Sequence, residues 1–363
     1  MSGSSDPERS WEARVSCSTL LIVAFTQHLS MMLKNGVSIT QALQALREQP
    51  ENPNFELAVE EINESICQGG KLSAALARFP RLFPGVYANV VRVGESTGSL
   101  TDCLDLLAEW LEIEERTARR VLSAMSYPAL VLGVALLLML LLFCTVIPQF
   151  MLMLEGMNMQ LPWITRVVMF ITHLVQNPGI WLLVLVSAGA ARLWLKHTWA
   201  RPAGRRRLFS LLLKLPGLGR ILWYASLCRF AATSKMGIMT GLDLVQTLQL
   251  AAEASGSPIL EHDNVYLTEA LSNGQQVSDY LRQRPQIYHS TLVHLFFAGE
   301  EAADIGPALD RAAHYYQQEV DHLVSNLGKV LEPILLLAVA VLVGLLLIAI
   351  FLPLYSYLAE LKV

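Results

Sequence analysis

The sequence predicts an all-α membrane protein with two tandem cytoplasmic helical-bundle domains, about six helices each, and three transmembrane helices. Three observations carry this prediction. The 363 residues are 53% hydrophobic and only 16% charged, with mean hydropathy +0.42, where soluble domains hold about 25% charged residues. Two stretches, Pro128–Leu154 and Pro333–Ala359, contain no Asp, Glu, Lys, Arg or His, and each exceeds the ~20 apolar residues that cross a bilayer as a helix. Finally, the chain repeats itself at a fixed offset of 205 residues.

Taken in order, residues 1–19 form a polar tail of mixed charge without the apolar core of a secretory signal. Residues 20–127 form the first cytoplasmic domain. LLIVAFTQHLSMMLKN has apolar residues at helical spacing and stops at Gly36; Ser38 can cap VSITQALQALREQ. FELAVEEINESICQ is amphipathic, Ser73 can cap a short helix ending at Phe79-Pro80, and GVYANVVRVGE follows. SLTDCLDLLAEWLEIEERTARRVLSAMSY then runs toward the first span, 128–154, which opens at Pro128. Residues 155–177 are expected as a short outer loop, and 178–197 as a second span interrupted only by Arg192, near its end, where the side chain can snorkel. A basic cytoplasmic linker, 198–224, leads to the second domain, 225–332. The third span, 333–357, opens at Pro333, and 358–363 is an outer tail. No β-alternation competes with this reading.

The orientation follows from charge. Gly156 to Leu242 carries eleven Lys and Arg and no acid, most of them in KHTWARPAGRRRLFSLLLKLPGLGR. The positive-inside rule therefore places both domains and the N-terminus in the cytoplasm and the C-terminus outside.

The repeat agrees independently. Phe25 pairs with Phe230, Gly36 with Gly241, Gly94 with Gly299, Glu95 with Glu300, Pro128 with Pro333 and Pro148 with Pro353. Many of these are Gly and Pro, which set backbone geometry at turns. Two bundle-plus-anchor units in tandem need one extra helix to bring the chain back inside, so the middle span has no counterpart.

Catalytic constellations fail one by one. VGESTGSL contains G-x-S-x-G, but a nucleophile elbow needs a strand before the serine. Here both flanks read as helix, and the second copy, AGEEAADI, replaces Ser96 by Glu301. What repeats is Gly-Glu. Glu95 and Glu300 either accept backbone N–H bonds at a helix end or face a neighbouring domain, a partner or a weakly held divalent ion. No P-loop and no H-E-x-x-H is present, and His314 and His322 lie two helical turns apart, too far to chelate one metal. The five cysteines show no C-x-x-C spacing and read as reduced thiols. No cofactor and no metal is expected. Arg205, Arg206 and Arg207 serve topology and attraction to anionic headgroups, or dock an acidic partner. The acidic balance of both domains and the absence of aromatic interleaving argue against nucleic acid.

Several signatures together resemble the inner-membrane platform proteins of type II secretion and type IV pilus assembly. They are FTQHLSMMLKNGVSITQAL with FAATSKMGIMTGLDLVQTL, QGGKLSAALARFP, VGESTGSL, SYPAL, LPWITRVV and EPILLL, spread over residues 20–358. The resemblance implies a non-enzymatic role in the bacterial inner membrane, coupling a cytosolic assembly ATPase to insertion of pilin or pseudopilin subunits into a fibre. It also implies other inner-membrane machine components as partners, and self-association. The alternatives are a membrane scaffold or receptor without a motor partner, and a transporter. The parallel repeats and apolar spans disfavour the latter.

Overall fold

Every regular element among the described residues of this computed structural model is a helix. Described are residues 17–47, 52–150, 163–199, 202–215 and 217–360. Most of the N-terminal tail, the first part of the expected outer loop and the last three residues of the outer tail lie outside them. The helices are α1 Thr19–Lys34, α2 Ile39–Arg47, α3 Pro53–Cys67, α4 Leu72–Ala77, α5 Gly85–Thr97 and α6 Leu100–Leu141. A π-helical turn, Leu142–Val146, follows, then α7 Trp163–Gln176, α8 Pro178–Trp199 and α9 Pro202–Leu213. The rest are α10 Leu218–Met239, α11 Leu244–Ala254, α12 Pro258–Ser272, α13 Val277–Arg282, α14 Ser290–Glu301 and α15 Ile305–Glu360.

The sequence repeat reappears in the helix boundaries. α3 and α12 correspond residue for residue at the 205 offset, as do α4 and α13. Local chemistry explains the agreement. Asn52 Oδ1 accepts from Asn54 N–H and Ser257 Oγ from Leu260 N–H, each capping a helix whose first residue is proline. At the other end of the first helix in each copy, Gly36 (φ 81) and Gly241 (φ 84) adopt the left-handed conformation. There Gly36 N–H and Val37 N–H bond Leu33 and Met32 carbonyls, and Gly241 N–H and Leu242 N–H bond those of Ile238 and Gly237. An L side chain would be strained in that conformation, so glycine terminates both helices.

On α3 the residues Phe55, Ala58, Val59 and Ile62 are buried, the i, i+3, i+4, i+7 stripe of an amphipathic helix. They meet Phe25, Phe79, Phe83, Tyr87, Leu104 and Leu107. Phe25 and Phe55 cross edge-on with centroids 5.4 Å apart. Each such ring stabilises the fold by about 1.5–3 kcal/mol through burial. The second copy contributes Phe230, Leu248, Leu267, Tyr288, Phe296 and Tyr316 to the same continuous core. The two copies are therefore not separate compact bodies. Met1–Arg119 and Phe209–His322 together make one unit, and Arg120–Leu208 with Leu323–Val363 make the other.

In the second unit, Ser126–Phe150 and a segment within Ile305–Leu352 are long and apolar enough to cross a membrane. The number of spans rises to four if Thr165–Leu174 with Pro178–Trp194, and Gly204–Leu213 with Leu218–Met239, are each one bent span. Pro128 and Pro333, expected at the start of spans, both stand inside continuous helices, α6 and α15. The expected outer loop differs more. Its residues 163–176 form α7, whose Val168 packs with Phe143, Ile147, Leu346 and Ala349. Thr165 Oγ1 donates to the Ala349 carbonyl at 3.0 Å, and Gln176 Nε2 to the Phe143 carbonyl at 3.3 Å. The second bond lands in the π-helical turn, where the i→i+5 shift disturbs the ordinary carbonyl ladder. The basic linker is also helical over Pro202–Leu213, opened by a proline at its first turn.

Candidate functional site: carboxylate clamps and paired grooves

The repeated Gly-Glu pairs sit at the end of the fifth helix of each copy, and both do the same work. Glu95 Oε1 accepts the Leu72 N–H at 2.6 Å, and Oε2 accepts the Ser73 hydroxyl at 2.5 Å. Glu300 Oε1 accepts Val277 N–H at 2.7 Å, and Oε2 accepts Ser278 N–H at 3.1 Å. Each carboxylate thus satisfies orphan donors at the start of a six-residue helix, α4 or α13, where the helix dipole also favours negative charge. The preceding glycines permit close packing. A Cβ on Gly94 would stand 2.9 Å from the Leu100 Cα, and one on Gly299 3.0 Å from the Ile305 Cα. Ser96 lies near the helical end of α5 with its hydroxyl donating to the Val93 carbonyl at 2.9 Å. There is no strand before it and so no nucleophile elbow.

A second constellation joins the copies, and sequence reasoning missed it. Asp105 and Asp310 are equivalent by the offset. Asp105 binds Lys34 and Ser30, both from α1. Burial works against its charge, but the Lys34 and Ser30 hydrogen bonds prevail and hold its carboxyl below the usual range. In the second copy the lysine is displaced one turn. Lys235, the counterpart of Ser30, meets Asp310 Oδ1 at 2.6 Å and also reaches Glu109 of the first copy at 3.0 Å. Burial disfavours the Lys235 ammonium, yet the bonds to Asp310 and Glu109 raise its pKa above the ordinary lysine value. Gln317 Nε2 donates to Thr117 Oγ1 at 3.1 Å and extends the same contact. The available signal was the Ser30-to-Lys235 exchange at an otherwise repeated position, which gains meaning only once the partner helix is known.

Around Lys235 the space between the copies is almost closed, about 10 Å³, and lined by Leu106, Glu109, Trp110, Ile113, Met236 and Asp310 among others. On the first copy a wider groove of about 530 Å³ lies between α1 and α6, lined by Gln27, Met31, Lys34, Asp105, Ala108 and Glu112 among others. Arg205, Arg206 and Arg207 are on α9, in the second unit. Among the described residues, no three His, Cys, Asp or Glu side chains converge as a metal site. Burial pushes the Cys228 thiol up to about 12 and the Cys17 thiol to about 11, so neither is a thiolate at neutral pH.

The family model described as type II secretion system (T2SS), protein F, matches residues 25–148 and again 234–353. The chain is 30% identical to the type IV pilus assembly protein PilC of Pseudomonas aeruginosa over 336 residues, 92% of this chain and 89% of that protein. It is 29% identical to PilC of Thermus thermophilus, covering 94% and 84%. It is also 29% identical to the type II secretion system protein F of Xanthomonas campestris pv. campestris, covering 92% and 82%.

Proposed function

Because the chain belongs to the type II secretion system protein F family, we propose that it is the inner-membrane platform of a fibre-building machine. In this reading it couples a cytosolic assembly ATPase to the insertion of pilin or pseudopilin subunits. The observation that carries the proposal is the extent of the likeness: relatives named for pilus assembly and for secretion match over nine-tenths of the chain. The role is mechanical rather than enzymatic. The groups with chemical potential are engaged in structure, Glu95 and Glu300 as helix clamps and Lys235 as a tie between copies. A bundle whose copies share one core can move as a body.

The proposed topology has three spans, with residues 20–127 and 225–332 on the cytoplasmic side and the C-terminus outside, supported by the charge bias. Glu95, Glu300 and the Arg205–Arg207 run remain the proposed contacts to partners, although the hydrogen bonds of the two glutamates favour a supporting role. Deleting the gene and counting surface filaments and secreted protein tests the role; unchanged counts of both would refute it. Capture of the candidate ATPase by the full-length protein separates a platform from a scaffold without a motor.

A further inference from the structure

The grooves described above are equivalent places in the two copies, yet one is filled and one is open. Subtracting 205 from Ala232, Met236, Asp310, Ala313 and His314, which line the closed space, gives Gln27, Met31, Asp105, Ala108 and Glu109, which line the open one. Three of the five pairs are identical residues. The groove of the second copy is filled by a ridge of α6: Leu106, Glu109, Trp110 and Ile113. Its floor residue Met236 is 2% exposed, whereas the counterpart Met31 is 60% exposed.

Adding 205 to the ridge gives Arg311, His314, Tyr315 and Gln318 on α15. Three of these, Arg311, His314 and Gln318, are exposed. Within one chain the contact runs one way only: the first copy supplies the ridge and the second supplies the groove. Each molecule is then left with an open groove on one copy and an uncovered ridge on the other. When copies of one chain join through such a heterologous pair of surfaces, the contact repeats from molecule to molecule and closes into a ring if the rotation allows.

We infer that the α1/α6 groove of the first copy receives the Arg311–His314–Gln318 ridge of a second molecule of this chain. Availability selects that ridge over the alternative, since Leu106, Glu109, Trp110 and Ile113 are already packed against the second copy. The first-copy ridge is thus seated in its own chain, where Glu109 binds Lys235. The second-copy ridge brings Arg311 to a groove whose Asp105, Glu109 and Glu112 are paired within the chain with Lys34, Lys235 and Arg116. Two molecules facing one another make two such contacts, and larger rings repeat the same contact. The inference goes beyond the coupling role, since its test needs neither ATPase nor fibre, and either can fail without the other.

The test is cross-linking in native membranes, using full-length chains in which the exposed Cys67 and Cys144 are replaced by alanine. One tagged chain carries Met31→Cys and a differently tagged chain carries Gln318→Cys. On mild oxidation the co-expressed pair should give a disulfide-linked species bearing both tags, and neither variant alone should give one. Absence of the mixed species overturns the inference, and so does an equally strong species from Met31→Cys alone, which indicates groove against groove. Independently, Met31→Arg in the solubilised protein should lower the mass measured by light scattering from a multiple of the chain to a single chain. Because Met31 is exposed, the variant should keep its helical signal and melting temperature. An oligomer unchanged by Met31→Arg, or a native protein already monomeric, also overturns it.

Discussion

Asp263 is the most informative residue to perturb, because the protein contains its own control. The carboxylate is 3% exposed. It binds the Arg284 guanidinium, accepts the Tyr288 hydroxyl at 2.9 Å and the Tyr280 hydroxyl at 3.3 Å, while Arg284 also lies 4.6 Å from the Tyr280 ring centroid. At the equivalent positions the first copy has Ala58, Phe79, Phe83 and Ala75, all buried. One copy thus fills this place with hydrocarbon and the other with a charged network. Asp263→Ala strands a guanidinium and the Tyr288 hydroxyl, while the Tyr280 hydroxyl keeps the main-chain carbonyl of residue 263 at 3.3 Å. Breaking a buried pair from one side costs about 3–5 kcal/mol. Arg284 keeps 36% of its side chain exposed, so water relieves part of the loss and about 3 kcal/mol is the reasoned figure. For a unit of this size, about 2–4 °C per kcal/mol gives a fall in Tm of about 6–12 °C. The assay is a tryptophan-fluorescence melt of the full chain in detergent at pH 7. Introducing Tyr280→Ala, Arg284→Phe and Tyr288→Phe as well reproduces the first copy's chemistry and should recover at least half the fall. The reasoning fails if the single variant melts within about 2 °C of the native chain, or if the quadruple variant melts below the single one.

Three further outcomes follow from the same reading. Glu95→Ala or Glu300→Ala removes two hydrogen bonds from a helix start and should each lower stability by about 1–2 kcal/mol, with hydrogen exchange rising first in α4 or α13. Burial raises the pKa of Glu114 despite the nearby Arg229. A carboxyl whose folded pKa exceeds its unfolded value destabilises the fold at higher pH, and the penalty vanishes as pH drops below the unfolded value. Glu114→Gln should therefore raise Tm at pH 7, and the gain should shrink to nothing near pH 4 in paired melts. Gln176→Leu leaves the Phe143 carbonyl without its side-chain donor in an apolar setting and should cost about 1–3 kcal/mol, read as earlier proteolysis near α7.

Much of the helical pattern was legible because it is local. Gly36 and Gly241 at helix ends and the Phe55–Ile62 stripe act within a few residues of one another. The two uncharged stretches were legible for the same reason. The helix at Trp163–Gln176 was not, since LPWITRVV reads as a connection until its Thr165 finds a carbonyl 184 residues away. Glu95 was legible as a carboxylate at a helix end, but the donors it satisfies lie more than twenty residues earlier. The shared core escaped for a different reason. Self-comparison finds what two copies have in common, whereas the tie between them rests on a difference, Lys235 where the first copy has Ser30.

That tie bears on how the protein should be handled at the bench. A fragment cut after the first copy would bare Trp110, now 5% exposed, together with Leu106 and Ile113. Hydrophobic surface freed in that way seeks cover, and the nearest cover of suitable shape is the vacant groove of a sister fragment. A dimer formed by such a fragment would then record the scissors rather than the cell, and only material retaining both halves would report the native assembly.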